Sequence, residues 1–236
     1  MSSLSPVWLV VDSQNIRRNR PPWAQTVDFH EAIDIAEKAI NLGKIVVFPT
    51  ETFYGLAVDA SNTDAIERLV INKGREAAKA LALIAGTNEQ VERWAEIPHT
   101  LALLAKKYWP GPLTLALPPK QDLPTALYSQ NGTIGMRISS HPFAQQLAIK
   151  TGIITATSAN ITGEAPIKDA SDLSPILSNT VDIVIDMGIC FGGEPSTVVG
   201  LNDKGSIIVF REGAISRSDL KEVVGYYPHL ASRRNG

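Results

Sequence analysis

The chain has 236 residues, 44% hydrophobic and 19% charged, with a formal net charge of −2. That length suits one large or two small domains with a sizeable core, and the slightly acidic balance excludes a strongly basic nucleic-acid binder as a whole. No apolar run approaches the ~20 residues that span a bilayer, no signal-peptide pattern opens the chain, and the single cysteine, Cys190, excludes an internal disulfide; a cytoplasmic protein without membrane contact is expected.

Residues 1–27 read as an N-terminal extension whose apolar patch, 7–11, is an edge strand. Arg17, Arg18 and Arg20, like Arg233 and Arg234 in the tail at 226–236, read as solvated ends or as an RNA-contacting fringe. Asp28-Phe-His-Glu31 has the capping-box pattern; Ala32, Ile33, Ala36, Ala39 and Ile40 then recur at helical spacing, and Gly43 closes the helix. The β-branched run 45–48 is a buried strand stopped by Pro49. Further helices are predicted over 64–72, 88–96, 100–108 and 142–150, with Pro142 in the first turn of the last and Gly152 closing it. Strands are predicted at 81–85, 113–117, 133–138, 153–156, 181–185, 197–201 and 207–210. Ser216 caps a final helix that ends near Gly225. Strands and helices alternate without strict βαβ periodicity, so the expected fold class is α/β, a single domain over 28–225 with a mixed parallel and antiparallel sheet.

Several clusters carry chemistry. The strand to Phe48 delivers Thr50, Glu51, Thr52, Tyr54 and Gly55 onto one short loop. That is either a small-molecule pocket in which Thr52 and Tyr54 offer hydrogen bonds, or a polar turn. Lys73-Gly-Arg75 sets two cations around a turning glycine, with Lys79 as a third charge; this suits a polyphosphate or a solvated helix end. No P-loop is present. Thr155-Ala-Thr-Ser-Ala-Asn-Ile-Thr-Gly163 follows an apolar strand; Ser158 and Asn160 share a side if the chain stays extended. No Gly-x-Ser-x-Gly elbow surrounds Ser158, and the four histidines have no metal-binding spacing. Arg137, inside an apolar strand pattern, needs a partner: a substrate carboxylate, or an Asp or Glu of a neighbouring element. Pro195-Ser-Thr-Val and Phe210-Arg-Glu-Gly213 are polar entries at strand ends. Cys190, beside an apolar strand, reads as a buried inert thiol.

In order, Pro-Thr-Glu-Thr-x-Tyr-Gly, Lys-Gly-Arg, Trp-Pro-Gly-Pro-Leu-Thr, Gly-x-Arg, Ser-Ala-Asn-x-Thr-Gly, Pro-Ser-Thr-Val and Arg-x-Gly resemble the YrdC/TsaC family, the threonylcarbamoyl-AMP synthases, over about residues 28–225. The resemblance implies a single YrdC-like domain with a twisted sheet, flanking helices and a concave cleft. Its catalytic tetrad matches Lys73, Arg75, Ser158 and Asn160. By the same resemblance Thr52, Arg137 and Ser196 hold L-threonine, and Arg75, Lys79, Thr133, Asn160 and Arg211 hold ATP; no residue is assigned as a metal ligand.

The implied reaction is a nucleotidyl transfer. L-threonine, bicarbonate or CO2 and ATP give threonylcarbamoyl-AMP and pyrophosphate, for modification of adenosine 37 of tRNA through a threonylcarbamoyl transferase complex. The threonine amine captures CO2 and the carbamate then attacks the α-phosphate, so cations, including Mg2+, are called for where two anions meet. No covalent nucleophile is required. The chain departs from the family pattern at Ala57, Glu76, Lys79-Ala80 and Ile84. Alternative readings are a YciO-like paralogue and a non-catalytic protein that binds double-stranded RNA or tRNA on its concave face.

Overall fold

The computed structural model of the protein describes residues 5–11, 20–74 and 80–225. In chain order the elements begin with β1 (Val7–Val11), β2 (Gln25–Val27), α1 (Phe29–Asn41), β3 (Val46–Phe48), β4 (Gly55–Ala57), α2 (Thr63–Asn72) and β5 (Leu83–Ala85). The middle of the chain forms α3 (Asn88–Trp94), α4 (His99–Tyr108), β6 (Leu113–Leu117), β7 (Ile134–Ile138) and α5 (Pro142–Thr151). Then come β8 (Ile154–Thr155), β9 (Thr157–Ser158), α6 (Pro175–Ser178), β10 (Ile183–Asp186), β11 (Thr197–Leu201), β12 (Ile207–Arg211) and α7 (Arg217–Val224).

The strands make two six-stranded mixed sheets where a single mixed sheet was expected. The first runs β2-β1-β10-β3-β4-β9, parallel through β3 and antiparallel beyond it. The second runs β12-β11-β6-β7-β5-β8. The alternation along each strand explains why the apolar runs are unbroken. Ile45 and Val47 enter the core that both sheets share, while Val46 and Phe48 enter a second core beneath α1 and α5. A strand buried on both faces has no polar side to show.

The same alternation corrects one expectation. The strand predicted at 7–11 is interior, between β2 and β10. Trp8 and Val10 join the shared core, and Leu9 and Val11 join the core under α1. Such two-sided burial places a strand inside a sheet. Arg20, expected on a solvated end, is likewise tied down, with its Nε 2.9 Å from Asp186 Oδ2.

Helix α1 begins where Asp28 accepts the Glu31 amide at 2.8 Å, and its buried stripe is Ala32, Ile33, Ala36, Ala39 and Ile40. Asn62 caps α2 through the Ala65 amide, so the helix starts slightly ahead of the predicted 64. Ser216 and Asp219 form a reciprocal capping box on α7. Among the described residues no helix is long and apolar enough to cross a membrane.

The predicted strand at 153–156 is two short strands that belong to different sheets. β8 pairs with β5 in the second sheet, and β9 pairs with β4 in the first. The chain changes sheets at Ala156, whose amide bonds Ala82 O at 2.8 Å. Thr155, fully buried, supplies the bonds the ladder lacks there: its hydroxyl accepts Val58 N at 3.0 Å and donates to Leu56 O at 3.1 Å. Thr155→Val keeps the shape and strands both groups. It is expected to lower stability by about 1–3 kcal/mol, read as a reduced denaturation midpoint with an unchanged slope.

Candidate active site

The loop between β3 and β4 is stiff because Thr50 is its internal partner. The Thr50 hydroxyl donates to Phe53 O at 2.7 Å and accepts the amides of Thr52 and Phe53, each at 3.2 Å. Thr52 Oγ1 lies 3.0 Å from Thr50 Oγ1. Tyr54 does not offer its phenol to a ligand as expected. The phenol is a strut, donating to Gly188 O at 2.7 Å and accepting Met187 N at 3.1 Å. Burial, with Asp186 nearby, raises the Tyr54 pKa and keeps the phenol protonated.

A cavity of about 200 Å³ opens where the two sheets meet. Its polar wall carries Thr52, Arg137, Ser158, Ser196 and Arg211, drawn from widely separated parts of the chain. Small residues, Ala80, Ala82 and Ala156, leave the space open. Lys73, the C-cap of α2, is 97% buried by its 3% exposure, and its Nζ bonds Ser158 at the carbonyl oxygen and, at 3.3 Å, at Oγ.

The two arginines are oriented by different means. Arg137 Nη1 meets Glu51 Oε1 at 2.8 Å, and the Ser139 hydroxyl donates to the other oxygen, Oε2. Of the two partners left open for Arg137, a carboxylate of a neighbouring element is the one seen. Arg211 donates from Nε and Nη2 to Ser196 O at 3.0 and 2.9 Å, and from Nη2 to Ser196 Oγ at 3.0 Å. Ser196 Oγ is also 2.8 Å from Thr114 Oγ1. Burial first, and then the like charge of Arg137, lower the Arg211 pKa from the usual arginine range. Lys73 and Arg137 are almost wholly buried, Arg211 keeps an exposed side, and together these cations favour an anionic ligand with planar oxygens.

Other expected residues lie differently. Ser158 and Asn160 do not share a side, because the chain turns there: Asn160 N bonds Ser158 O at 2.9 Å. The Asn160 amide nitrogen donates to Ile161 O at 2.9 Å and Glu164 O at 2.7 Å, so its Nδ2 braces the loop. Its Oδ1 is buried without a hydrogen-bond partner among the described residues. Thr133 Oγ1 sits 2.8 Å from Ser129 Oγ in a turn ahead of β7 and is not among the residues that line the cavity. Arg75 and Lys79 lie outside the described residues. Ile84 is buried in the core under α1 and α5, with Phe48 and Phe143. Glu51, Ser139 and Thr114 escaped the sequence reading as site residues. Only Glu51 had a local signal, its place in the polar loop; its partner is 86 positions away.

The structure also limits two groups. Burial pushes the His141 pKa down against the pull of Glu51, and its Nδ1 accepts Phe143 N at 3.2 Å to cap α5. The buried Cys190 thiol is pushed up to about 11, chiefly by burial. It is therefore protonated at neutral pH and a poor nucleophile. Alkylation of Cys190 is expected to be slow at pH 8 in the folded protein and fast after denaturation, measured by intact mass.

The architecture is an α/β fold of two mixed sheets that meet at a cavity lined by hydroxyls and two arginines. The family model named Sua5/YciO/YrdC, described as telomere recombination, matches residues 38–213, and the chain belongs to that family. A Pyrococcus abyssi threonylcarbamoyl-AMP synthase is 35% identical over 195 residues, covering 82% of this chain and 57% of its own length. A Coxiella burnetii threonylcarbamoyl-AMP synthase is 35% identical over 162 residues, covering 67% of this chain and 87% of its own. The crystal structure of Pyrococcus abyssi Sua5 complexed with L-threonine has a TM-score of 0.80 at 32% identity, covering 93% of this chain and 61% of that one. Escherichia coli YciO shares the fold, with a TM-score of 0.73 at 24% identity, covering 89% of this chain and 97% of that one.

Close packing around Thr52 is testable. A Cβ on Gly192 would lie 2.6 Å from Thr52 Cα and 2.7 Å from Glu51 O. These are backbone atoms that cannot swing aside. Gly192→Ala is expected to cost about 1–3 kcal/mol by overpacking, seen as a lower thermal midpoint.

Proposed function

We propose that the protein is an L-threonylcarbamoyladenylate synthase, a nucleotidyltransferase that joins L-threonine, bicarbonate or CO2 and ATP. The observation that carries this reading is the assembly of Thr52, Arg137, Ser158, Ser196 and Arg211 around one cavity, with Lys73 on Ser158. Relatives that bear the name threonylcarbamoyl-AMP synthase, and a related structure that holds L-threonine, support it.

In this reading the amino-acid carboxylate faces Arg137, held in place by Glu51, and Ser196 and Thr52 accept or donate hydrogen bonds beside it. The amine, in its neutral form, adds to CO2 and loses a proton, giving a carbamate. A carbamate oxygen attacks the α-phosphorus of ATP; the bond to the bridging oxygen breaks and pyrophosphate leaves with the electron pair. Lys73, Arg75 and Arg211 lower the repulsion between the two anions, and Ser158, Asn160, Thr133 and Lys79 complete the nucleotide side. The fixed geometry supplies much of the rate by alignment. No step forms a bond to the protein, which fits a site whose nearby thiol is buried and protonated.

Among the described residues no group of three or more His, Cys, Asp or Glu side chains converges to cage a metal ion. Glu51 is taken up by Arg137 and Ser139. Among the described residues no protein-borne cage for Mg2+ is assigned, and in this reading the ion would be carried mainly by the triphosphate oxygens. The product would pass to a threonylcarbamoyl transferase complex that modifies tRNA.

Incubation with ATP, Mg2+, bicarbonate and L-threonine, with serine as the comparison, is expected to yield threonylcarbamoyl-AMP by mass spectrometry. Lys73→Ala is expected to cut threonine-dependent pyrophosphate release by roughly 10²–10³-fold, the scale of losing one preorganised charge at a reacting anion, and Ser158→Ala by less. Unchanged turnover in both variants, with far-ultraviolet circular dichroism like the parent's, would refute the site assignment.

A further inference from the structure

Two loops make the Thr52 side of the cavity: 49–54 after β3, and 187–196 between β10 and β11. They are joined at Tyr54 and at Gly192, among other contacts. The Tyr54 phenol bonds both Met187 N and Gly188 O, and Gly192 lies so close to Thr52 that no Cβ fits between them. Ser196, at the end of the second loop, lines the cavity. The base of this second loop is Asp186. Its Oδ1 accepts Gly188 N at 2.9 Å and its Oδ2 faces Arg20 Nε at 2.9 Å.

Asp186 is almost wholly buried, with a side-chain exposure of 2%, and Arg20 is mostly covered at 15%. Among the described residues, the Arg20 pair is the ion pair found for Asp186. A buried carboxylate that loses its cation either takes up a proton or draws in water. Either change weakens its hold on Gly188 N, and through Tyr54 it reaches the loop that carries Thr52. Arg20 precedes the 49–56 motif by some thirty positions and is not among the residues lining the cavity, and the chain of bonds through Asp186 connects it to the site.

We propose that Arg20 is a positioning residue for the amino-acid side of the site: it fixes Asp186, Asp186 fixes the start of the 187–196 loop, and the loop fixes Thr52 and Ser196. The inference rests on the proposed synthase reading for its kinetic consequence, but its structural part stands without it. The expected pattern is graded, with the threonine KM moving well beyond the ATP KM, since the loop reaches the nucleotide side only at Arg211, through Ser196.

The test uses the full chain with Arg20→Ala, Arg20→Lys and the double variant Arg20→Ala/Asp186→Asn. Two readouts are taken: hydrogen exchange of peptides covering 49–56 and 187–196, and KM for L-threonine and for ATP. In Arg20→Ala, exchange at Met187 and Gly188 and the threonine KM are each expected to rise about tenfold or more, with the ATP KM and kcat within about twofold. Arg20→Lys, which keeps the charge but not the fork, is expected to recover part of the loss. The double variant, with no buried charge to satisfy, is expected to recover part of it as well. Two results overturn the proposal: exchange and threonine KM unchanged in Arg20→Ala, or exchange rising uniformly across the first sheet with both KM values moving together. If the parent protein forms no threonine adduct, the synthase reading fails. The exchange data then decide the positioning role alone, a localised rise sustaining it and an unchanged or uniform pattern rejecting it.

Discussion

The site depends on one constraint. Between Ile154 and Ser158 the chain leaves one sheet and joins the other with no residue of it fully exposed, so its backbone groups need partners. The partners come from both sides. Ala156 N reaches Ala82 O, Thr155 N reaches Val58 O, and Ala159 N reaches Tyr54 O. The Thr155 hydroxyl fills the remaining gap in the ladder. These bonds leave the two sheets no freedom to slide at this point. They also set Ser158 at the mouth of the junction, where Lys73 meets it from the end of α2. The cavity is the space left where the sheets diverge, and its small floor residues keep that space from being filled.

Around this junction the protein gathers cations under conditions that oppose them. Lys73 and Arg137 are almost wholly buried, and burial and Arg137 together lower the Arg211 pKa. Isolated charges would not stay in such a place. Each is met by a fixed acceptor: Ser158 for Lys73, Glu51 for Arg137, the Ser196 carbonyl for Arg211. Among these acceptors the Ser158 and Ser196 oxygens are neutral, so they hold the cations in place without cancelling their charge. Glu51 is the exception, and its own second oxygen is occupied by Ser139. A carboxylate held at both ends can neutralise part of the charge without turning toward the ligand.

The legible parts of the chain were those whose physics is local. Helical spacing and the Asp28 cap marked α1, and the run to Phe48 marked β3, because side-chain periodicity and a capping oxygen act within a few residues. Thr52, Arg137, Ser158, Ser196 and Arg211 were singled out as polar groups beside strands, and all line the cavity. What could not be read was pairing across long separations. The interior place of β1 requires β10, more than 170 positions on. The split of 153–156 requires two sheets whose existence no local pattern declares. Tyr54 looked like a ligand group because a phenol on a loop is ambiguous until Gly188 is beside it. Asn160 looked extended until its own backbone turned.

The pairing of β1 with β10 has a consequence for the order of events during synthesis. Val7 is in register with Ile183 and Leu9 with Ile185, in a parallel ladder. Strand β1 is thus made long before β10, its partner more than 170 positions further along the chain. Until then β1 has β2 on one side but lacks β10 on the other, and Trp8, Leu9 and Val10, all buried in the finished sheet, are not fully covered. Contacts this distant in sequence slow folding, because the loop they close must be ordered before the contact rewards it. An apolar strand waiting with a bare edge is also open to pairing with another chain. The nascent protein therefore passes through a stage in which the open edge of β1 must be kept from foreign partners, and completion of the first sheet is tied to the arrival of β10.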